Sequence, residues 1–388
     1  MKVKNILLVV LLLLSPFSDL LAGQWVKKES LGGVARHRAT GVSIGQKGYI
    51  GLGHVNGTGV NFAFSDWWEF DPASNTWTQK ADYLLGQGYG ASAFSVGTKG
   101  FVGSGVFIGN SWCEYDPGTN QWTQVATPPA TGSELSAFAV NDKGYLIENA
   151  NIYEYDPVLN VWNTKTSAPV GFGIWGAAFS IGNSGYVISG STFYEYKPSV
   201  DQWLARASFP GSASGGSAAF AVLEKGYVVA GFSGSLGNVN REAWEYDPGI
   251  NSWSLVEEFL GSSRRFTIGF NIGDRGYVGT GTNGINFKDF WEYDPILMGQ
   301  EEVENDIIIS TYPNPTSNFL TITINGGSSF LSEKKFVLYD NRGRIVKQLC
   351  ITESSLTIDV SDLPSGSYIY HLKSNLKRIK TGKILVAK

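Results

Sequence analysis

Arginine and histidine cluster in two short runs, Arg36-His37-Arg38 and Arg264-Arg265. A guanidinium is a planar fork of donors that meets a carboxylate or sulfate through two parallel hydrogen bonds. The two runs brought together would make a site for an anion. Tyr89 and Trp175 offer flat faces for a sugar ring or a side chain, and Glu134 offers a carboxylate. Arg36, His37, Arg38, Tyr89, Glu134, Trp175, Arg264 and Arg265 are therefore the candidate ligand-binding residues. No residue is assigned a catalytic role; only an enzymatic reading would make His37 or Glu134 an acid–base candidate, and no motif secures either. The sequence has no His-x-Glu, no paired-cysteine zinc spacing and no Gly-x-Ser-x-Gly elbow, so neither a metal nor a cofactor is expected.

The elements that must position these residues are repeated. An Asp/Lys-Pro run ends in a Trp five residues after the Pro at Trp77, Trp122, Trp162, Trp203 and Trp253. A sixth run, Asp294-Pro295, has Gln300 in that place, while a sixth Trp, Trp25, stands near the start of the chain. From each Trp to the aromatic of the next Gly-Tyr/Phe pair the interval is 23 or 24 residues, as from Trp25 to Tyr49. From that aromatic to the next Pro it runs from 12 to 23 residues. Each repeat thus has one rigid half and one variable connection. Repeats of this length with short strands build propellers. The early Trp completes the last repeat, giving a six-bladed ring closed by the N-terminal strand.

The Gly-Tyr pair opening the second strand and the Glu-Tyr-Asp-Pro-x-x-Asn-x-Trp run over the third and fourth resemble Kelch-type propellers, from about Gln24 to Met298. The family's Gly-Gly doublet is altered here to Gly51-Leu52-Gly53, Gly103-Ser104-Gly105 and Gly279-Thr280-Gly281, and blade 3 has Ile147-Glu148-Asn149. In a four-stranded blade the variable connection and the crossing to the next blade share one face. The long connections belong to blades 5, 6 and 1, which adjoin in a closed ring. The candidate residues all precede inner strands and converge on the axis at that face. Such loops on a rigid scaffold commonly carry binding function. The arginines have an alternative use, pairing with loop acids such as Asp66, Glu242 or Asp289.

The repeated Glu69, Glu114, Glu154, Glu195, Glu245 and Glu292 occur once per blade, which points to structural hydrogen bonding between blades, not to catalysis. Some Kelch-containing enzymes are copper radical oxidases, but Cys113 falls at the outer-strand position of Trp68, Tyr153, Tyr194, Trp244 and Trp291, so that ligand set cannot form. A packing role fits Cys113 better than a bridge to Cys350.

Lys2 and Lys4 precede an apolar run, Ile6 to Leu14, too short to span a bilayer and suited to a secretory signal peptide over residues 1–23. No later segment is apolar enough to span. The region from Asp306 to Lys388 carries 11 Lys/Arg against 6 Asp/Glu, leaving 19 against 28 in the rest of the chain. An acidic body argues against nucleic-acid binding.

The repeats (24–299) stop at a short acidic linker, 300–306. Beyond it, over 307–388, alternating runs such as Phe319–Ile324, Phe336–Asp340 and Tyr368–Leu372 predict a small all-β sandwich. Tyr312-Pro313-Asn314-Pro315, the Leu-Tyr-Asp-x-x-Gly-Arg turn, Leu-Pro-Ser-Gly-x-Tyr and the basic terminal strand resemble the C-terminal sorting domain of type IX secretion. That resemblance implies the type IX machinery as partner, and export to the cell surface or the medium. The fold class is all-β throughout. Three functions stay open: recognition of an anionic glycan or protein ligand, an isomerase similar to Kelch-like sialic-acid mutarotases, and a passive surface or matrix role.

Overall fold

The computed structural model describes residues 23–295, apart from 58 and 213, and 308–388, apart from 326–333, 341–344, 352–353 and 375–376. The expected signal segment, residue 23 excepted, and the expected linker lie outside the described residues.

Six four-stranded antiparallel sheets follow one another. Blade 1 takes its strands from Thr40–Ile44, Lys47–Gly51, Trp67–Asp71 and Thr76–Lys80. Blades 2 to 5 repeat that order, opening at Ser92–Val96, Ser136–Val140, Ala177–Ile181 and Ala218–Val222. Blade 6 contains Ile268–Ile272, Arg275–Gly279 and Phe290–Asp294, and its fourth strand is Gln24–Lys28. Trp25 pairs with Tyr293 in the register that sets Trp77 opposite Phe70 and Trp162 opposite Tyr155. The first strand of each blade packs against those of its two neighbours, and blade 6 packs against blade 1. The ring is closed as the displaced Trp predicts.

The inner strands alternate with period two. In Thr40–Ile44 the residues Thr40, Val42 and Ile44 are buried between blades, while Gly41 and Ser43 face the axis. Small residues, including Gly41, Ala93, Ala137, Ala178, Ala219 and Gly269, line an axial cavity of about 170 Å³. The glycine of each Gly-Tyr pair is a packing requirement. A Cβ on Gly144 would stand 2.1 Å from the Phe94 ring of the preceding blade, and one on Gly185 2.1 Å from Phe138.

The Asn-x-Trp motif is a clasp between blades. Asn160 Oδ1 accepts the N–H of Ala126 at 2.8 Å, and Trp162 Nε1 donates to the C=O of that same residue at 2.9 Å. Asn75 with Trp77 does this to Glu29, Asn120 with Trp122 to Ala81, and Asn251 with Trp253 to Ala207. Asp201 replaces the Asn in blade 4 and holds Thr166 together with Trp203. The clasping Asn and Asp residues all sit at positive φ, between 50° and 55°, a region Asn and Asp tolerate better than other side-chain-bearing residues. The expectation that the repeated glutamates bond between blades is corrected. Tyr49 donates to Glu69 at 2.6 Å across two strands of one sheet, as do Tyr145 to Glu154 and Tyr227 to Glu245. Cys113 is fully buried between Tyr83 and its neighbours, consistent with packing.

The C-terminal region is a two-sheet sandwich. Ile308–Tyr312, Phe319–Asn325 and Ser355–Asp359 form one sheet, and Lys334–Tyr339, Ile345–Ile351, Gly366–Ser374 and Lys377–Val386 the other. Leu320 and Ile322 of the first meet Phe336, Leu338 and Tyr370 of the second in one core.

Candidate functional site

Two residues before each inner strand the backbone turns left-handed. The positions are Arg38 (φ 53°), Gly90 (61°), Glu134 (60°), Trp175 (65°), Gly216 (59°) and Phe266 (54°). These backbones are hydrogen-bonded to one another around the axis. Arg38 N–H donates to Phe266, Gly90 to Arg38, Glu134 to Gly90, Trp175 to Glu134 and Gly216 to Trp175, all within 2.8–3.1 Å. Thr267 N–H completes the circle to Gly216 at 3.4 Å. This belt caps the small-residue cavity and carries Arg38, Glu134 and Trp175 at one mouth. Phe266 occupies the same place in blade 6. Its side chain was not expected in the site, although the spacing to its inner strand is the same as for the other three.

The arginines divide into two kinds. Arg36 is fully buried. Its Nη1 and Nη2 grip Asp66 side by side, the second bond at 2.8 Å, its Nε donates to Val34 O at 2.9 Å, and it lies 3.9 Å from the Phe64 ring centroid. Arg264 repeats the arrangement with Asp289 at 2.6 and 2.8 Å, Ser262 O at 2.9 Å and Phe287 at 4.2 Å. The Arg264 guanidinium holds Asp289 below the ordinary carboxylate range against the opposing effect of its burial. The expected cluster of four available guanidiniums is therefore corrected to two. Arg36 and Arg264 brace the long loops of blades 1 and 6 from beneath, with every guanidinium nitrogen already engaged.

Arg38 and Arg265 remain at the mouth, flanking the Phe266 ring with their guanidinium carbons 4.1 and 5.6 Å from its centroid. Arg38 Nε lies 2.8 Å from Glu134 Oε1, but the N–H does not point along that line, and neither atom makes an aligned hydrogen bond. Glu134 Oε2 accepts Trp175 Nε1–H. Burial raises the Glu134 carboxyl, and Arg38 opposes that rise. Arg265 Nη1 donates to Leu236 O, and among the described residues no carboxylate pairs with it. Burial, and then Arg38, lower its guanidinium from the usual value, yet an arginine stays charged at any physiological pH.

Two histidines complete the wall. His37 Nδ1 is 2.8 Å from Asn286 Oδ1, and His54 Nε2 is 2.7 Å from Asn61 Oδ1. His54 stacks on Tyr89 with ring centroids 4.3 Å apart, and its buried Nδ1 has no hydrogen-bond partner among the described residues. Burial lowers His37 to about 4, with Arg38, His54 and Arg265 adding to the effect and the Asn286 bond opposing it. His37 is neutral at pH 7. The mouth thus presents a cation, Arg265, without a carboxylate partner among the described residues, beside the Arg38–Glu134 ion pair and over a floor of Tyr89, Trp175 and Phe266. No group of three or more His, Cys, Asp or Glu residues suited to a metal occurs among the described residues.

The C-terminal sandwich explains its own motif residues. Asn314 of the Tyr-Pro-Asn-Pro run donates to Lys383 O at 2.9 Å and accepts Leu385 N–H at 2.8 Å, fastening the terminal strand. Tyr368 of Leu-Pro-Ser-Gly-x-Tyr closes its turn on Pro364 O at 2.8 Å. A family model described as a secretion system C-terminal sorting domain matches residues 310–387. This region is a type IX sorting domain. The sorting domain marks the chain for export to the cell surface or extracellular space. The propeller is similar to the solved structure of YjhT, with a TM-score of 0.57 and 16% identity over 76% of this chain and 99% of that one. That likeness shows the fold alone. In all, 562 solved chains match, so the fold does not select a function. No curated protein matches the sequence.

Proposed function

We propose that the exported propeller is a binding protein whose mouth holds an anion-bearing glycan or an acidic protein segment. The observation that carries this reading is Arg265, a partly buried guanidinium with no carboxylate partner among the described residues, beside Arg38 and the aromatic floor. Buried polar atoms without a hydrogen-bond partner among the described residues gather in the same place, Arg265 Nε and His54 Nδ1 among them. In folded proteins such atoms are normally satisfied, by protein, water or ligand. A carboxylate or sulfate would satisfy the cation, and a sugar ring or side chain would lie over the aromatic faces.

The test is a screen of the exported chain against sialylated, uronic and sulfated glycans and acidic peptides, beside an Arg38→Ala/Arg265→Ala double variant. Selective binding lost in the variant is the expected result. Binding that survives the double variant overturns the site, and no binding to any probe moves the propeller to a passive surface role. A second reading, an isomerase of anionic sugars, is favoured by the raised carboxyl of Glu134 beside a cation. Anomer conversion of a bound sugar, abolished by Glu134→Gln or His37→Gln, is its signature.

A further inference from the structure

The chain pairs arginine with carboxylate in two different ways, and the contrast assigns a role to Glu134. In the pairs Arg36–Asp66 and Arg264–Asp289 the guanidinium is fully buried, two donors run parallel to two oxygens, and backbone carbonyls take further donors. Nothing entering from solvent could compete with that geometry. Arg38 and Glu134 meet only along the Nε edge, with side chains 18% and 10% exposed and no aligned hydrogen bond between the atoms in contact. The aligned contact of the Glu134 carboxylate is to a neutral indole, Trp175 Nε1.

The route Glu134 takes is equally specific. Its own backbone is left-handed, where a side chain costs energy that Gly90 and Gly216 avoid at equivalent places. Its side chain then bends over Gly90, so closely that a Cβ there would stand 2.5 Å from Glu134 Cγ. Gly90 thus clears the path by which a blade 3 carboxylate reaches a blade 1 guanidinium.

We infer that Glu134 is a built-in stand-in for the ligand's anion: it occupies Arg38 in the free protein, and an incoming carboxylate or sulfate takes Arg38 by displacing it. This rests on the reading of the mouth as an anion site. Arg265 supplies the first hold, since no carboxylate among the described residues pairs with it. The anion then bridges Arg265 and Arg38 while Glu134 swings off, keeping or losing its Trp175 bond. The internal carboxylate sets a threshold: weak monovalent anions leave it in place, whereas a divalent sulfate, or a carboxylate with further contacts on the aromatic floor, displaces it.

The experiment titrates the full exported chain with sodium sulfate and with glucuronate, at constant ionic strength, following tryptophan fluorescence. The proteins are wild type, Glu134→Gln, Glu134→Asn and Arg265→Ala. Asn accepts the left-handed backbone and is too short to reach Arg38, so it keeps the test open where Gln folds poorly. The expected result is a Kd for the anion lowered roughly fivefold or more in both Glu134 variants, the worth of one partly exposed ion pair, and raised in Arg265→Ala. Unchanged or weaker binding in the Glu134 variants, with wild-type binding present and lost in Arg265→Ala, overturns the stand-in role and leaves the anion site standing. Absence of anion binding in every protein overturns both.

Discussion

Replacing Asn160 by Ala tests whether the repeat motif is a clasp or merely a turn. Asn160 Oδ1 accepts from Ala126 N–H at 2.8 Å and from Tyr155 O–H at 2.9 Å, and its φ is 54°. Each lost hydrogen bond that strands a donor costs about 1 kcal/mol. Ala in the left-handed region adds about 1 kcal/mol relative to Asn. The expected loss is about 3 kcal/mol, a large share of the roughly 5–15 kcal/mol that holds a typical domain together. Two companions separate the contributions. Asn160→Gly keeps the backbone free of strain and loses only the bonds, so about 2 kcal/mol goes. Asn160→Asp keeps both acceptors and is expected to cost little at pH 7, because Asp201 does this work in blade 4, accepting Tyr196 O–H at 2.6 Å. The assay is urea unfolding by tryptophan fluorescence, read as a midpoint shift at constant slope. Ala and Gly costing the same, or Asp as damaging as Ala, would refute the reasoning. Trp162→Phe combined with Asn160→Ala should cost less than the two added together, since both grip Ala126.

Other outcomes follow from the same geometry. Asp66→Asn leaves the Arg36 guanidinium buried and unpaired and should cost about 3–5 kcal/mol, whereas Arg265→Ala should stay within about 0.5 kcal/mol; parallel denaturant melts decide between them. Trp25→Ala removes a buried indole and its bond to Glu257 O, at about 3–5 kcal/mol, measurable as a lowered unfolding midpoint. His37 is neutral in both states at pH 7. Below 6.5 the unfolded chain takes up a proton that the folded mouth refuses until about 4. Stability should therefore fall as pH drops through that window, and His37→Gln should flatten the slope. Asn314→Ala should raise amide hydrogen exchange in the terminal strand, where Leu385 loses its acceptor.

Much of this architecture was legible because it is local. Strand positions and the sorting motifs follow from residues within a few positions of one another, and the repeats recur often enough that the Trp missing from the sixth points to Trp25. The candidate site was legible only in outline. Arg36 and Arg38 differ by two positions, and nothing nearby separates the buried brace from the available cation. What separates them is Asp66, across a connection of variable length, and the same holds for Arg264 with Asp289. Phe266 could have been found by aligning the six entries to the inner strands, which puts it level with Arg38, Glu134 and Trp175. The belt of hydrogen bonds could not, because it runs between backbones of different blades.

The closing strand gives the chain an order of events. Residues 24–28 wait for residues 290–294, and joining ends so far apart costs about 5 kcal/mol in loop entropy. The ring stays unsealed until its sixth blade exists. The address for export lies beyond that point, at 310–387. A chain broken off early lacks both the seal and the address, while any chain that carries the address has already brought every strand of the ring with it. Position along the sequence thus makes the address a marker that every strand of the ring has been made.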